Sequence, residues 1–406
     1  MTTPTDQAPT ARRRLETLCA VTPDRRPGSR GNSQATAYVV EALRTSGWVT
    51  ADQEFDCLDW EAGGGTVTIS DHSIRLEPSP YGLGIDIAAA PIRVLRTVED
   101  LDRPDLDGAI VLLTEALAAE PLTPKAFPFY GSEEHAHIIA ALERTAPGAV
   151  IAVTGRYPEL CGALDPFPLI EDGDFTIPTA NVHPKDAQPL LAGEGAPARV
   201  TIEARRRRAR ARNVVGTRGP QTNRVTVIAH IDTKPGTPGA VDNAAGVVVL
   251  LLLADLLGPV TCPHLPIGVE LLAVNGEDHY AAPGELAWLA VNDLEDVALA
   301  VNIDGAGYRA GASAYSTYNL SGTLAGHVGS VLGAAPGLVS GPEWFQSDHA
   351  IFAMRGRPAV AVTSQHFEEM LEVLFHAPTD TPDQVEVTRL GEIADAVAAL
   401  VTTWPT

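Results

Sequence analysis

The chain has 406 residues, of which 45% are hydrophobic and 20% are charged, and its formal net charge is −22. This length and composition indicate a globular protein with a sizeable core, built as two or three domains or as one large domain with an insertion. The acidic excess argues against nucleic acid and anionic membranes as partners.

The four cysteines, Cys19, Cys57, Cys161 and Cys262, are scattered and include no C-x-x-C pair. We therefore expect free thiols in a reducing compartment rather than a disulfide framework or a zinc knuckle. The N-terminal sequence has no apolar segment of signal-peptide length. The longest apolar run, GVVVLLLLADLL, is too short to span a bilayer. These features predict a cytoplasmic protein without a membrane partner.

In chain order, SQATAYVVEALRTSGWV predicts a helix that ends near Gly47, and ADQEFDCLDW predicts an edge strand after it. From about Glu61 to about Glu203, short apolar segments alternate with turn residues. They predict a small β-rich module, which we place at residues 61–204 as an inserted domain. The segment EARRRRARARN follows. Because it is short and the chain is acidic, it is typical of an exposed strand or hinge whose arginines offset acidic neighbours.

From Asn213 onward, strands and helices alternate. The predicted strands are RVTVIAH, IGVELLAVNG, VALAVNID and RPAVAVTS, and the predicted helices are AAGVVVLLLLADLL, GELAWLAVND, TLAGHVGSVLG and VTRLGEIADAVAALVTTW. This alternation predicts an α/β fold, a mostly parallel mixed sheet with helices on both faces. We assign residues 1–60 and 205–406 to this larger domain. Ligands bind such sheets at the carboxyl ends of the strands.

Imidazole and carboxylate side chains fall at these strand ends. They are His230 and Asp232 after the first strand, Asp242 before the long helix, Glu277 and Asp278 after the second strand, Asp304 after the third, and His376 before the last helix. Such groups hold Zn²⁺ in catalytic sites, and two-metal hydrolases, with ions about 3.5–4 Å apart, need a bridging carboxylate. Taken singly, Asp242 is also typical of a helix N-cap, and His376 of an ordinary loop histidine.

Together these motifs resemble the M28 family of co-catalytic zinc aminopeptidases. The family shows H-x-D, G-x-x-D-N-A-S-G, G-E-E, N-x-D and H-T-x-x-D-T in that order, and this chain has HID, GAVDNAAG, GED, NID and HAPTDT. SDHAIFAMRGRPAVAV is similar to the family's S-D-H-x-x-F segment, and RRPGSRGNSQATAYVVEALRTSGW to its N-terminal helix segment. DLDGAIVLLT and IPTANVHPKDAQPLL give the inserted module a looser resemblance to a protease-associated domain.

The resemblance implies a zinc-exopeptidase-type fold and a role for each matching residue. It implies two Zn²⁺ ions held by His230, Asp242, Asp278, Asp304 and His376. Asp242 would bridge both ions. His230 and Asp304 would complete one site, and the other two residues would complete the second. Catalytic roles are implied for Glu277 as the general base and for Asp232 as the partner that orients His230. Asp348 and His349 are similar to residues just outside the ligand set.

Three positions depart from the family pattern. Asp278 stands where the family usually has Glu, so a bound metal would sit closer to the backbone or coordinate differently. Phe375 stands where some members have a Tyr whose hydroxyl helps to stabilise the tetrahedral intermediate, and Tyr308 or Tyr315 would have to replace that donor. Ala377 replaces a Thr. None of these changes removes a ligand or the base, so we expect an enzyme.

We therefore expect a metal-dependent exopeptidase with peptide substrates, above all an aminopeptidase, and consider a homo-oligomer open. One alternative is a carboxypeptidase or dipeptidase on the same centre, with Lys234 or Arg355 binding a C-terminal carboxylate. A second is a non-catalytic binding module of the same fold. A third is acyl transfer of the glutaminyl cyclase type, although those enzymes use one zinc ion and five candidate ligands favour two.

Overall fold

The structure is a computed structural model that describes residues 4–22, 24–128, 131–153 and 167–405. Within these residues the chain forms thirteen strands: β1 (Val49–Ile69), β2 (His72–Pro78), β3 (Ile85–Leu95), β4 (Ile110–Leu113), β5 (Ala149–Val153), β6 (Thr179–Val182), β7 (Pro197–Arg218), β8 (Arg224–His230), β9 (Gly268–Val274), β10 (Val297–Ile303), β11 (Ser313–Tyr318), β12 (Leu338–Ser340) and β13 (Ala359–Ser364).

The same residues form ten α-helices: α1 (Pro4–Cys19), α2 (Arg30–Thr45), α3 (Glu133–Thr145), α4 (Gln188–Ala192), α5 (Ala245–Leu256), α6 (Pro283–Leu289), α7 (Gly322–Gly333), α8 (Ala350–Ala353), α9 (Phe367–Val373) and α10 (Val387–Thr402). None of the helices in the described ranges is long and apolar enough to cross a bilayer. Cys19, Cys57 and Cys262 are free thiols, and Cys161 lies outside the described residues.

The chain divides into two compact units. The larger unit comprises residues 1–57 and 210–406, and the smaller unit comprises residues 58–209. The sequence-based boundaries, after residues 60 and 204, lie three and five residues from these divisions. Both divisions fall inside long strands, β1 and β7, rather than in loops.

The larger unit has a mixed, mostly parallel sheet with the strand order β7-β9-β8-β10-β13-β11-β12. Strand β8 lies between β9 and β10 and is parallel to both. All seven of its residues are buried, as expected for an apolar strand covered on both faces. Antiparallel pairing appears where β7 meets β9 and where β11 meets β13. The predicted α/β fold class is confirmed.

Helices cover both faces of this sheet. The chain moves from β8 to β9 in one direction and then from β9 to β10 in the other. Because such crossovers are right-handed, α5 and α6 must lie on opposite faces. Helices α1 and α10 pack against α5, and α7 packs against α10. Trp288 of α6 packs against Phe352 of α8 with ring centroids 5.3 Å apart.

Helix α5 is the apolar segment singled out in the sequence, and its residues 245–254 are all buried. A helix that is apolar on every side belongs in the interior of a domain. Its exposed Asp255 forms an ion pair with Arg14 of α1, with 2.8 Å between Nη2 and Oδ2. Helix α1 was not predicted from the sequence, although its residues Ala11, Leu15 and Leu18 are buried at helical spacing.

The smaller unit is built on a sheet with the order β1-β2-β6-β5-β4-β3-β7, and β1 also pairs with β7. Alternate residues of β4 enter two different cores: Ile110 and Leu112 join one, and Val111 and Leu113 join the other. Helix α3 packs on the second core. The predicted strand ADQEFDCLDW is longer than expected, because β1 continues through the glycine run into GGGTVTI.

The arginine run belongs to β7, and its side chains pair with acidic residues of β1. Within the smaller unit the ion pairs are Arg207–Asp59 at 2.8 Å and Arg207–Glu61 at 2.6 Å. Within the larger unit they are Arg210–Glu54 at 3.3 Å, Arg210–Asp56 at 3.2 Å and Arg212–Asp52 at 2.8 Å. The run is thus a strand whose positive charges are offset by acidic neighbours, as predicted.

Candidate metal centre

Five of the predicted site residues follow the ends of three neighbouring parallel strands. His230 is the last residue of β8, and Asp232 lies two residues later. Glu277 and Asp278 lie in the turn after β9, and Asp304 comes directly after β10. Because β8, β9 and β10 are adjacent and parallel, these side chains meet at one edge of the sheet.

Asp242 and His376 reach the same place from irregular segments. Asp242 lies in a turn before α5, with non-helical backbone angles of φ −115° and ψ 89°. Because α5 begins at Ala245, Asp242 is not its N-cap, and that alternative was wrong. The neighbouring Asn243 instead accepts a hydrogen bond from the Gly246 amide at 3.0 Å. His376 lies in the turn after α9 with φ +59°.

The first group of donors surrounds the Nε2 atom of His230. This nitrogen lies 3.2 Å from Asp242 Oδ1 and 3.5 Å from Asp304 Oδ1. The His230 side chain is fully buried, and Nε2 hydrogen-bonds to no group within the described ranges. Three ligand-type atoms thus face one another, and the imidazole nitrogen among them is buried.

The second group surrounds Nε2 of His376, which lies 3.5 Å from Asp242 Oδ2 and 3.4 Å from Asp278 Oδ1. Asp242 therefore presents one carboxylate oxygen to each group. Ligand atoms from His230, Asp242 and Asp278 all lie within 4.8 Å of one another. The structure brings together all five residues for which the sequence predicted metal ligation.

Asp232 holds the surroundings of His230 in a way that differs from the expectation in one respect. The imidazole Nδ1 lies 3.2 Å from the Asp232 backbone carbonyl but 3.7 Å from the carboxylate Oδ1. The carboxylate Oδ2 accepts a hydrogen bond from the Asp278 amide at 3.1 Å. The main-chain oxygen is thus the nearer acceptor for His230, and the carboxylate fixes the turn that carries Asp278.

The electrostatics of the centre reflect an excess of negative charge. Burial raises the pKa of Glu277 and of Asp278 well above the usual carboxyl range. Burial alone would lower the pKa of His230, but the surrounding carboxylates of Asp304, Glu277, Asp232 and Asp242 together outweigh it, so the pKa of that imidazole is raised. Buried carboxylates need a compensating cation. The donor set of imidazole and carboxylate is the one that a catalytic zinc ion prefers, so these residues fit the implied metal.

Glu277 lies beside the donors and is more exposed than His230. Its Oε2 is 3.8 Å from His230 Nε2, and its side chain is 18% exposed, against 0% for His230. A general base needs this placement, close to the reacting centre and open to water.

The structure also places the residues that depart from the family pattern. Phe375 packs edge-on against Phe367, with ring centroids 5.7 Å apart. The Tyr308 hydroxyl donates to Glu369 at 3.3 Å, so this hydroxyl is engaged away from the metal donors. Tyr315 lies on β11, opposite Val362 of β13.

Asp348 and His349 lie outside the donor set, as expected. Asp348 is buried, and burial raises its pKa to about 7. His349 Nε2 lies 2.7 Å from the Trp344 carbonyl, and its Nδ1 lies 3.3 Å from Asn302 Nδ2. Burial lowers the pKa of His349 to about 4, so this imidazole is neutral.

Three residues near the centre received no role in the metal site from the sequence. The Lys234 ammonium donates to the Asp278 carbonyl at 2.9 Å and lies 3.9 Å from Asp278 Oδ1. Asp380 accepts hydrogen bonds from the Val241 and Asp242 amides. Arg25 binds backbone carbonyls of the same loop. Arg25 and Asp380 lie in the segments RRPGSRG and HAPTDT, whose resemblance to the family pattern could have indicated a role near the site.

The fold and the donor set define the class of the larger unit: an α/β domain of the metallopeptidase type. The chain resembles the "Aminopeptidase from Aneurinibacillus sp. strain AM-1", with 21% identity, a TM-score of 0.75, and coverage of 97% of this chain and 92% of that one. For "BSAP, a zinc aminopeptidase from Bacillus subtilis", the values are 19%, 0.73, 97% and 93%. At these identities the likeness shows a shared fold.

Sequence comparison supports a family assignment for part of the chain. Residues 213–401 match the family described as "Peptidase family M28". The chain is also 28% identical over 291 residues to the "Probable lipoprotein aminopeptidase LpqL" of Mycobacterium tuberculosis, a match that covers 68% of this chain. That match spans about half of the relative's length, 54%.

Proposed function

We propose that the protein is a metal-dependent aminopeptidase that holds two zinc ions and releases N-terminal residues from peptides. The observation that carries this proposal is the placement of the Asp242 carboxylate. One of its oxygens faces His230 at 3.2 Å, and the other faces His376 at 3.5 Å. A carboxylate with a separate ligand group on each side is what a two-metal hydrolase requires.

The chain's own residues divide the work of peptide hydrolysis. Bound zinc supplies Lewis acidity, which polarises the peptide carbonyl and lowers the pKa of water. The Glu277 carboxylate accepts a proton from the attacking water and later delivers it to the leaving amine. Asp232 keeps the His230 ring and the Asp278 turn in place through the contacts of its carbonyl and carboxylate.

One observation favours a second candidate, a carboxypeptidase or dipeptidase. The Lys234 ammonium lies 3.9 Å from Asp278 Oδ1, so a positive charge sits beside the donors. An ammonium in this position attracts a substrate carboxylate. The two candidates differ in which terminus of the peptide must be free.

The experiment is hydrolysis of one peptide series by the zinc-loaded protein, with the N-terminus free or acetylated and the C-terminus free or amidated. An aminopeptidase cleaves every peptide with a free N-terminus and none that is acetylated. Cleavage that instead depends on a free C-terminus would establish the second candidate. The Glu277→Gln variant, purified in parallel, controls for contaminating peptidases. Loss of cleavage with a chelator and its return with Zn²⁺ test the metal requirement.

The smaller unit and the location of the protein remain predictions. We infer a protease-associated-like unit from DLDGAIVLLT and IPTANVHPKDAQPLL. We propose a cytoplasmic location from the scattered cysteines. Fractionation of cells that express the full-length protein, followed by immunoblotting of cytosol and membranes, tests the location.

A further inference from the structure

Arg25 is one of the most buried side chains of the larger unit, with 1% of its surface exposed. Its guanidinium N–H groups donate hydrogen bonds to main-chain carbonyls. Nε donates to Ile231 at 2.7 Å, Nη1 to Pro238 at 2.6 Å and to Leu18 at 3.2 Å, and Nη2 to Gly239 at 2.7 Å. Three of these acceptors lie in residues 231–239, the segment between the donors His230 and Asp242.

These acceptors lie next to two of the predicted metal ligands. Ile231 directly follows His230, and Gly239 comes three residues before Asp242. A single planar guanidinium therefore joins the peptide after one metal ligand to the peptides that lead into the next. Gly239 permits the close approach, because its φ is +57° and a Cβ there would come within 2.9 Å of Arg25 Nη2.

Asp380 holds the other side of the same loop and is fully buried. Its Oδ1 accepts from the Val241 amide at 2.8 Å, and its Oδ2 accepts from the Asp242 amide at 3.0 Å. Its own carbonyl accepts from the Ala240 amide at 3.1 Å. The carbonyls of this loop thus accept hydrogen bonds from the buried Arg25, and its amides donate hydrogen bonds to the buried Asp380.

We propose that Arg25 and Asp380, here called the loop clamp, are positioning residues that set the metal affinity of the centre by fixing the backbone on both sides of Asp242. This inference rests on the proposed two-metal function. Residues that hold metal ligands in place commonly contribute about 10–100-fold to metal affinity. The clamp acts through main-chain groups only, so it orients Asp242 without touching its carboxylate.

The chemistry of the two side chains makes the proposal specific. Lysine keeps the positive charge of Arg25, but a single ammonium cannot replace a planar fork that reaches four carbonyls. Asparagine keeps the shape of Asp380, but its amide group would point N–H donors at a backbone N–H. Both Arg25→Lys and Asp380→Asn should therefore loosen the loop while leaving the volume of the core nearly unchanged.

The matched control is Arg224→Lys. Arg224 is also buried, at 3% exposure, and lies at the opposite end of β8. It donates to the Gln221 carbonyl at 2.7 Å and to Asn292 Oδ1 at 3.2 Å. This control therefore loses a buried arginine from the same unit without disturbing the loop.

The experiment is a Zn²⁺ titration of each purified full-length protein against a chelating dye, together with a thermal midpoint for each apoprotein. We expect Arg25→Lys and Asp380→Asn each to weaken Zn²⁺ binding at least tenfold. Arg224→Lys should stay within about twofold of wild type, although its midpoint falls as far as that of Arg25→Lys. The readout needs no peptidase activity.

Failure of the loop clamp and failure of the proposed function give different results. Folded Arg25→Lys and Asp380→Asn proteins that bind Zn²⁺ with wild-type affinity would overturn the clamp. An equal loss of affinity in Arg224→Lys would also overturn it, because general destabilisation would then account for the effect. If Arg25→Lys does not fold, Asp380→Asn decides. A wild-type protein that binds no Zn²⁺ would instead overturn the proposed function itself.

Discussion

The two ends of β8 bury charged side chains in different ways. At the amino end, Arg224 and Glu270 are 3% and 4% exposed, and Nε of the arginine lies 3.6 Å from Oε2 of the glutamate. Glu270 Oε1 also lies 3.2 Å from the Thr226 hydroxyl and 3.2 Å from the Trp288 indole nitrogen. One acid and one base balance each other there, and the carboxylate is hydrogen-bonded within the fold.

At the carboxyl end the charges do not balance. The carboxylates there are those of Asp232, Asp242, Glu277, Asp278 and Asp304, and the nearby cationic or imidazole groups are His230, His376 and Lys234. His230 Nε2 and Asp278 Oδ2 have no hydrogen-bond partner in the described part of the chain. Burial of charge alone therefore does not mark a site. A site is marked by an excess of negative charge together with buried ligand-type atoms that have no hydrogen-bond partner.

Among the variants at the two ends of β8, Asp242→Ala should have the largest effect. The carboxyl end would lose the one carboxylate that faces both imidazoles, so we expect loss of bound metal and no measurable turnover. Metal analysis of the dialysed protein and a peptide assay check this. Glu270→Gln, which removes a buried carboxylate from the amino end, is the control. Full occupancy by two ions in Asp242→Ala would disprove the bridging role.

Glu277→Gln should have the next largest effect and separates chemistry from metal binding. Turnover should fall by about 10²–10⁴-fold, because a positioned general base contributes that much, while metal content stays unchanged. The matched control is Glu285→Gln. Glu285 is a buried carboxyl on α6 whose pKa burial raises well above its usual range, so the amide resembles its neutral form. Comparable losses in kcat for both variants would argue against Glu277 as the base.

The sequence predicted the carboxyl-end residues because their positions follow a simple rule. Polar residues that come directly after apolar parallel strands must meet at one edge, and His230, Asp232, Glu277, Asp278 and Asp304 all do. Asp242 and His376 needed the family motif as well, because each is carried by an irregular segment whose conformation has no periodic pattern.

Other features were missed for physical reasons. Helix α1 is polar overall and buries a narrow apolar stripe, so its periodicity is weak. The extended glycine run of β1 takes part in the sheet, where Gly65 pairs with Leu76 of β2, a partner that the glycines themselves do not indicate. The loop clamp works through backbone carbonyls and amides, and such acceptors leave no trace in the identity of the residues that carry them.

Glu270→Gln tests the amino end of β8 and should change stability rather than catalysis. The variant leaves Arg224 without its buried counter-charge, so we expect about 1–3 kcal/mol lower free energy of unfolding. The kcat and the metal content should equal those of wild type. Urea unfolding and the peptide assay measure both. A tenfold or larger fall in kcat would mean that the two ends of the strand are coupled, and the comparison would fail.

His349 extends the comparison to two histidines near the same edge, and its expected effect depends on pH. Carboxylates raise the pKa of His230, whereas burial lowers the pKa of His349 from 6.5 to about 4. Below about pH 6.5 the unfolded chain binds a proton at His349, whereas the folded protein does not bind it until the pH falls to about 4. Wild type therefore loses stability as the pH falls from 6.5 to about 4, by about 3 kcal/mol in full.

The His349→Gln variant isolates this contribution from the other groups that titrate in the same range. Glutamine retains a donor for the Trp344 carbonyl but has no proton to gain. At pH 7 the variant should be the less stable protein, because it loses the ring contacts with Trp344 and Tyr318. The difference in free energy of unfolding between the two proteins should then shrink as the pH falls towards 4.5. A difference that stays constant with pH would mean that the folded protein protonates His349 as readily as the unfolded chain does, so that burial does not lower the pKa of this imidazole.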